Sequence, residues 1–127
     1  MNKDIFTRSI GLLGEDNFNK LQDKVIAVFG LGGVGGTALE ALARTGVAHF
    51  IIVDFDKVDP SNLNRQILYT SKDIARDKVE AAKERLLMIN PDLDIKTFKG
   101  KAQEFDFNQK IDYLVDAIDD VEGKLFL

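Results

Sequence analysis

The segment Gly30-Leu31-Gly32-Gly33-Val34-Gly35 constrains this chain more than any other. It fits G-x-G-x-x-G, and it stands between two patterns that give the motif meaning. Before it, Lys24 to Phe29 (KVIAVF) is a short apolar run bounded by charge and by glycine, which reads as a buried strand. After it, Val34 to Arg44 reads as a helix with Ala38, Ala41 and Leu42 on its packing side and Gly46 as its stop. In such a turn the first glycine permits the sharp bend. The second lets the backbone approach phosphate oxygens, and the third lets helix and strand pack closely. Free amides at the helix start, reinforced by the helix dipole, favour a negative charge there. A ribose-binding acid is expected roughly twenty residues further on. Asp54 stands near that distance, directly after a second apolar run, His49 to Val53 (HFIIV). The alternative is a glycine-rich turn with no ligand, and the strand before, the helix after and the acid in place all weigh against it.

The rest of the chain continues the same alternation. Asp77 to Ile89 is the clearest helix, with Val79, Ala82, Leu86 and Ile89 at three- and four-residue steps and Asn90-Pro91 as its end. Ile95 to Phe98 and Asp112 to Val115 are the third and fourth strands, and Glu15 to Gln22 is a helix that turns Phe18 and Leu21 inward. Strands that alternate with helices and are apolar on both faces predict an α/β fold. The expected form is a Rossmann-like, doubly wound, mainly parallel sheet of order 3-2-1-4, with helices on each side. At 127 residues the chain has the size of one domain, here a nucleotide-binding domain over 1–127 with an N-terminal helical arm over 1–23. A net charge of −4 argues against a free-standing binder of nucleic acid driven by phosphate neutralisation. With no cysteine, these residues hold no disulfide, thiolate metal site or cysteine nucleophile. Neither a signal region nor a membrane-spanning stretch is visible in them, so a cytoplasmic location is expected.

A dinucleotide oxidoreductase would need little after the second strand beyond a ribose contact. Here Asp54-Phe55-Asp56 is followed by Ser61-Asn62-Leu63-Asn64-Arg65-Gln66. A second carboxylate, two amides and an arginine suggest handling of polyphosphate and metal. Arg65 can fork onto phosphate oxygens, Asn62 and Asn64 can orient its neighbours, and Lys78 opens the long helix within reach of the same crevice. In a 3-2-1-4 sheet the carboxyl ends of strands one and four flank that crevice. Asp116-Ala117-Ile118-Asp119 therefore leaves strand four facing the glycine loop. A bare carboxylate beside phosphate would repel it, whereas one that holds Mg²⁺ would not. Asp119, or Asp116, is the metal-ligand candidate.

These motifs, with Ile89-Asn90-Pro91, occur over most of the chain in an order that resembles the ThiF/MoeB/HesA family, which includes activating enzymes for ubiquitin-like proteins. Arg8 to Gly14, Glu40 to Gly46 and Asp116 to Asp119 most resemble its tRNA threonylcarbamoyladenosine dehydratase branch. The resemblance implies ATP-dependent adenylation of a substrate carboxylate, on a modified tRNA adenosine in that branch, with ATP and Mg²⁺ as cofactors and a homodimer as the assembly. It assigns the loop glycines Gly30, Gly32, Gly33 and Gly35 to the phosphates and Asp54 to the ribose. Asn62, Arg65 and Lys78 are assigned to the triphosphate, beside Asp56 and Asn64, and Asp119 to the metal. Arg8 corresponds to an arginine that reaches into the neighbouring subunit's site, and so joins Arg65 and Lys78 as a catalytic candidate. One departure is Gly36, where the family often has serine. Another is length: Leu127 falls at roughly half the family's usual extent, so an N-terminal fragment without activity of its own is expected.

Two other functions compete with this one: activation of a ubiquitin-like sulfur carrier protein, and an NAD-linked oxidoreductase domain, which the Asn62–Gln66 loop argues against. An inactive binding module is a further possibility. His49, the one histidine, is expected to be structural. Phe105-Asp106-Phe107 reads as the packing side of a short crossover helix, and Asp56 and Asp120 could equally be turn or cap residues.

Overall fold

The computed structural model describes residues 3–119 and 121–127. Four parallel strands, β1 (Val25–Phe29), β2 (His49–Asp54), β3 (Asp94–Lys99) and β4 (Tyr113–Asp116), lie in the order β3-β2-β1-β4. Five helices accompany them: α1 (Thr7–Leu13), α2 (Glu15–Gln22), α3 (Gly33–Thr45), α4 (Lys78–Ile89) and α5 (Val121–Phe126). The sheet order is the expected one. Central β1 pairs Ala27 with Ile51 on one side and with Leu114 on the other. It is buried on both faces, which is why its sequence is an unbroken apolar run rather than an alternation.

Alternate β1 and β2 residues serve two different cores. Ile26, Val28, Phe50 and Ile52 meet Leu39 and Ala43 of α3 and Val79, Ala82 and Leu86 of α4. Both long helices thus cover one face. The opposite face, where a short crossover helix was expected, is covered otherwise. Ala27, Phe29, Ile51 and Val53 pack against Ala102 and Phe105. Phe105 stands edge-on to both Phe29 and Phe98, and Phe107 stacks on Phe29 with ring centroids 5.7 Å apart. The Phe105-Asp106-Phe107 segment is therefore an aromatic plug and not a helix; the crossover holds only a 3-10 turn, Ala102–Glu104. Aromatic area in this compact form covers the strands without a full amphipathic stripe.

Other local expectations need smaller changes. In α3 the buried face is Gly35, Gly36, Leu39 and Ala43, and Ala41 is exposed. The helix begins at Gly33, and its two inner glycines face Gly30 O and the Leu68 side chain on the inward side. α4 ends at Asn90, whose N–H still donates to Leu86 O, before Pro91. α2 buries Phe18 as expected, and Phe6 packs on it at 5.4 Å between ring centroids. That contact joins the two helices of the N-terminal arm, of which α1 was not separately anticipated, and the Phe18 ring in turn packs against Gly46. His49 is partnered, with Nδ1 3.0 Å from Asp94 Oδ2 across the β2–β3 edge. No helix among the described residues is long and apolar enough to cross a membrane.

Candidate nucleotide site

At the carboxyl ends of the strands lies a cleft of about 930 Å³, open solvent included, lined by residues from the ends of β1, β2 and β4. Its position is the reversal point of strand order, where open α/β sheets bind ligands. Gly30 and Gly32 form one wall, and Asp54 and Asp56 continue from β2. Lys78 comes from the first turn of α4, and Ala117, Ile118 and Asp119 come from the end of β4. Six of the residues singled out from sequence are thus brought together: Gly30, Gly32, Asp54, Asp56, Lys78 and Asp119.

The glycines have different tasks. Gly30 has φ +94°, and a Cβ there would lie 2.5 Å from Ala117 O; at Gly35 a Cβ would lie 1.7 Å from Gly30 O. Both positions are closed to any larger residue. Gly35 is buried behind the cleft wall, so its role is the close packing of helix on turn, and Gly33 starts α3 outside the lining. At Gly36 a Cβ would meet Leu68 side-chain atoms at 3.1 Å, so the departure from serine comes with a leucine packed into its place. The N–H groups of Gly33, Val34 and Gly35 have no acceptor in their own helix, as at any helix start, and Gly32 just before them lines the cleft.

Asp54 does more than line the wall. Its Oδ2 accepts the Leu31 N–H and its Oδ1 the Asp56 N–H, both at 2.7 Å. Burial pushes this carboxyl above its ordinary range, while those two amides and the Lys78 charge act against the rise. Lys78 is itself only 5% exposed. Its Nζ lies 5.8 Å from the Tyr69 ring centroid, and its backbone N–H donates to Asp56 O at 3.0 Å. Asp119 is exposed on the wall, whereas Asp116 Oδ1 already accepts the Ile118 N–H at 3.2 Å and faces Lys124 Nζ at 3.5 Å. Among the described residues no three His, Cys, Asp or Glu side chains converge on a metal position. Mg²⁺ does not need such a cluster, because one carboxylate, phosphate oxygens and waters can complete its octahedron. Asp119 fits that description. Asp120 lies outside the described residues.

Besides Gly33 and Gly35, four further candidates stand away from the lining. Asn62 Oδ1 accepts the Asp59 N–H at 2.9 Å and closes a small capped turn. Arg65 Nη1 donates to Ser61 O and to Asn64 Oδ1, at 2.9 and 3.0 Å. Asn64 does orient its neighbour, but it holds the guanidinium within its own loop. Arg8 is exposed on α1.

A model described as the ThiF family matches residues 6–127. The chain belongs to the ThiF family. Over 126 residues it is 36% identical to a tRNA threonylcarbamoyladenosine dehydratase of Bacillus subtilis (strain 168), covering 96% of this chain and 50% of that protein. It is likewise 36% identical over 124 residues to a molybdopterin-synthase adenylyltransferase of Haemophilus influenzae, covering 95% of this chain and 50% of that one. The solved structure of the E. coli tRNA N6-threonylcarbamoyladenosine dehydratase in complex with ATP superposes with a TM-score of 0.89 at 34% identity, covering 96% of this chain and 52% of that one. The chain spans about half the length of the curated relatives it matches.

This ThiF-family cleft has wall residues that were not among the site candidates. Gln66 lines it and is only 6% exposed, with Oε1 buried and unpartnered among protein atoms. Its place in the Asn62–Gln66 run is visible in sequence; its burial is not. Phe55, Lys101 and Gln103 line the mouth, with Lys101 Nζ 5.6 Å from the Phe55 ring centroid. Lys101 and Gln103 come from the turn after β3, which no motif flags.

Proposed function

We propose that this cleft binds Mg²⁺-ATP and serves ATP-dependent adenylation of a substrate carboxylate. The observation that carries the reading is the convergence of the glycine loop, buried Lys78 and exposed Asp119 on one cleft. In the reaction a carboxylate oxygen attacks the α-phosphorus, the new C–O–P linkage forms, and the bond to the β-phosphate breaks with release of pyrophosphate. Negative charge grows on the phosphate oxygens as this proceeds. The loop amides and the Lys78 ammonium are fixed before it develops, which is the condition for strong electrostatic stabilisation. Asp119 would hold Mg²⁺, which when bound supplies further charge neutralisation. Asp54 would take the ribose on its remaining lone pairs, with Asp56 beside it. Gly33 and Gly35 support the phosphate loop from behind. Arg65, steadied by Asn64 and the Asn62 turn, would reach phosphate only by giving up its loop contacts. Arg8 would enter from the partner in a homodimer.

For the carboxylate, the favoured substrate is a modified tRNA adenosine, in line with the 36% identity to a tRNA threonylcarbamoyladenosine dehydratase. Equal identity to a molybdopterin-synthase adenylyltransferase keeps the C-terminus of a ubiquitin-like carrier protein as a second reading. A cytoplasmic setting would suit both. The deciding experiment compares Mg²⁺-ATP with NAD as a stabiliser of the fold, since a ligand that binds only the native state raises the melting temperature by mass action. Mg²⁺-ATP is expected to stabilise and NAD to have little effect; the reverse would return the cleft to the oxidoreductase reading.

A further inference from the structure

Leu31, between the first two loop glycines, is held on both sides of its residue. Its N–H donates to Asp54 Oδ2 at 2.7 Å, and its carbonyl accepts the Tyr69 hydroxyl at 2.6 Å. Its own side chain is fully buried. Tyr69 is 5% exposed, and its ring face lies against the Lys78 ammonium, 5.8 Å from Nζ to centroid. One side chain therefore bonds the glycine loop through its hydroxyl and presents its face to the cleft lysine. Burial, then the charges of Asp54, Asp73 and Asp56, pushes the phenol far above its ordinary range, so it remains a donor at any working pH.

A trans peptide is planar, with its carbonyl and the next N–H pointing in opposite directions. The Leu31 carbonyl is bonded to the Gly32 amide, so fixing one fixes the other. With the carbonyl turned toward Tyr69, the Gly32 N–H points away from Tyr69, and Gly32 lines the cleft. If that plane rotated, a carbonyl oxygen would replace an amide donor beside phosphate. Glycine at position 32 offers little resistance to such a rotation, so the direction must be held from elsewhere.

We propose that Tyr69 is a positioning residue for the polyphosphate: its hydroxyl fixes the peptide plane that aims the Gly32 amide, and its ring sets Lys78 toward the same anion. This rests on the nucleotide reading of the cleft. Phosphate recognition then depends on a side chain that does not touch the nucleotide.

The test compares ATP and adenosine affinities in the unaltered chain and in Tyr69→Phe, which keeps the ring and removes the hydroxyl. ATP affinity should fall about tenfold, the worth of one buried hydrogen bond, with adenosine affinity unchanged. Equal ATP affinity overturns the proposal. So does equal weakening of both ligands, which is what a merely structural role would give. Should Tyr69→Phe fail to fold, the unaltered chain labelled with 3-fluorotyrosine gives a second measurement. It has two tyrosines, Tyr69 and Tyr113. Inorganic triphosphate should shift the fluorine signal of Tyr69 and leave that of Tyr113 in place; an unmoved Tyr69 signal overturns the proposal. No ATP binding by the unaltered chain would remove the nucleotide reading itself, and Tyr69's role with it.

Discussion

Asp54 Oδ2 accepts the Leu31 N–H at 2.7 Å, so the acid that ends β2 is also part of the glycine loop of β1. Two neighbouring strand ends are tied by a charge-assisted hydrogen bond at the place where a nucleotide would lie.

That bond has a pH signature. The Asp54 carboxyl is raised above its unfolded value of 3.8, chiefly by burial. Between those two values the folded protein holds a proton that the unfolded chain has released. Stability linked to Asp54 is therefore present at low pH and lost as pH rises through the folded value. Asp54→Asn has no such proton to lose. Melting temperatures of both proteins from about pH 3 to pH 7 should show the native protein declining relative to the variant, then running level. A relative rise would mean that the two amide donors outweigh burial.

The two carboxylates of the β4 turn should separate cleanly. Asp116 Oδ1 is occupied by the Ile118 N–H and the nearby Lys124 ammonium, while Asp119 faces the cleft. Asp119→Asn is expected to reduce the Mg²⁺-dependent part of ATP affinity by at least about tenfold, and Asp116→Asn to leave that part nearly unchanged. Calorimetric titration of ATP with and without Mg²⁺ reads both. The opposite ranking would reassign the metal ligand to Asp116.

How far the sequence revealed this site depends on whether a residue's role is local. The placement of Gly30, Gly32 and Asp54 was legible because strand, turn and helix force a fixed spacing between them. Lys78 was legible because it opens a strongly periodic helix whose N-terminus lies at the crevice. Arg65 shows the limit: its type suits phosphate, but whether its guanidinium faces the cleft or Asn64 is decided by the capped turn around Asn62. Tyr69 and Gln66 were hidden for a related reason. Their burial depends on how the loop after the Asn62 turn folds back under the glycines, a long-range contact with no periodic signal. Phe105 and Phe107 misled because aromatic pairs two apart suit a helix face poorly but a plug well, and only the neighbouring Phe29 and Phe98 distinguish the two.

Ala75 holds the backbone at φ +72°, the one positive value among described non-glycine residues. It sits in the tight link before α4, where its N–H donates to Val58 O at 2.9 Å, and its side chain is exposed. A left-handed alanine carries a steric cost that glycine lacks, offset in part by the greater freedom of glycine in the unfolded chain. Ala75→Gly should therefore stabilise the fold by about 0.5 kcal/mol, measured by denaturant midpoint at constant slope. A loss of stability would mean that unfolded-state entropy dominates at this turn.

Arg8 carries the last prediction. Phe18, packed against Gly46 and covered by Phe6, pins the arm to the body, yet α1 buries none of its residues, and Leu12 is 86% exposed. Seven isolated residues gain little from helix formation alone, so an arm of this kind suits a surface outside its own subunit. If Arg8 crosses a two-fold axis into the partner's cleft, it can stabilise phosphate charge in trans, and the contact is made twice. Arg8→Ala and Lys78→Ala should then each weaken ATP binding as homodimers. A mixed dimer, isolated through two different affinity tags, would hold one site with both residues intact and one with neither. It should bind a single ATP with the affinity of the unaltered protein. Mixed dimers without a recovered tight site, or a chain that stays monomeric with ATP, would confine Arg8 to its own subunit and remove it from the site.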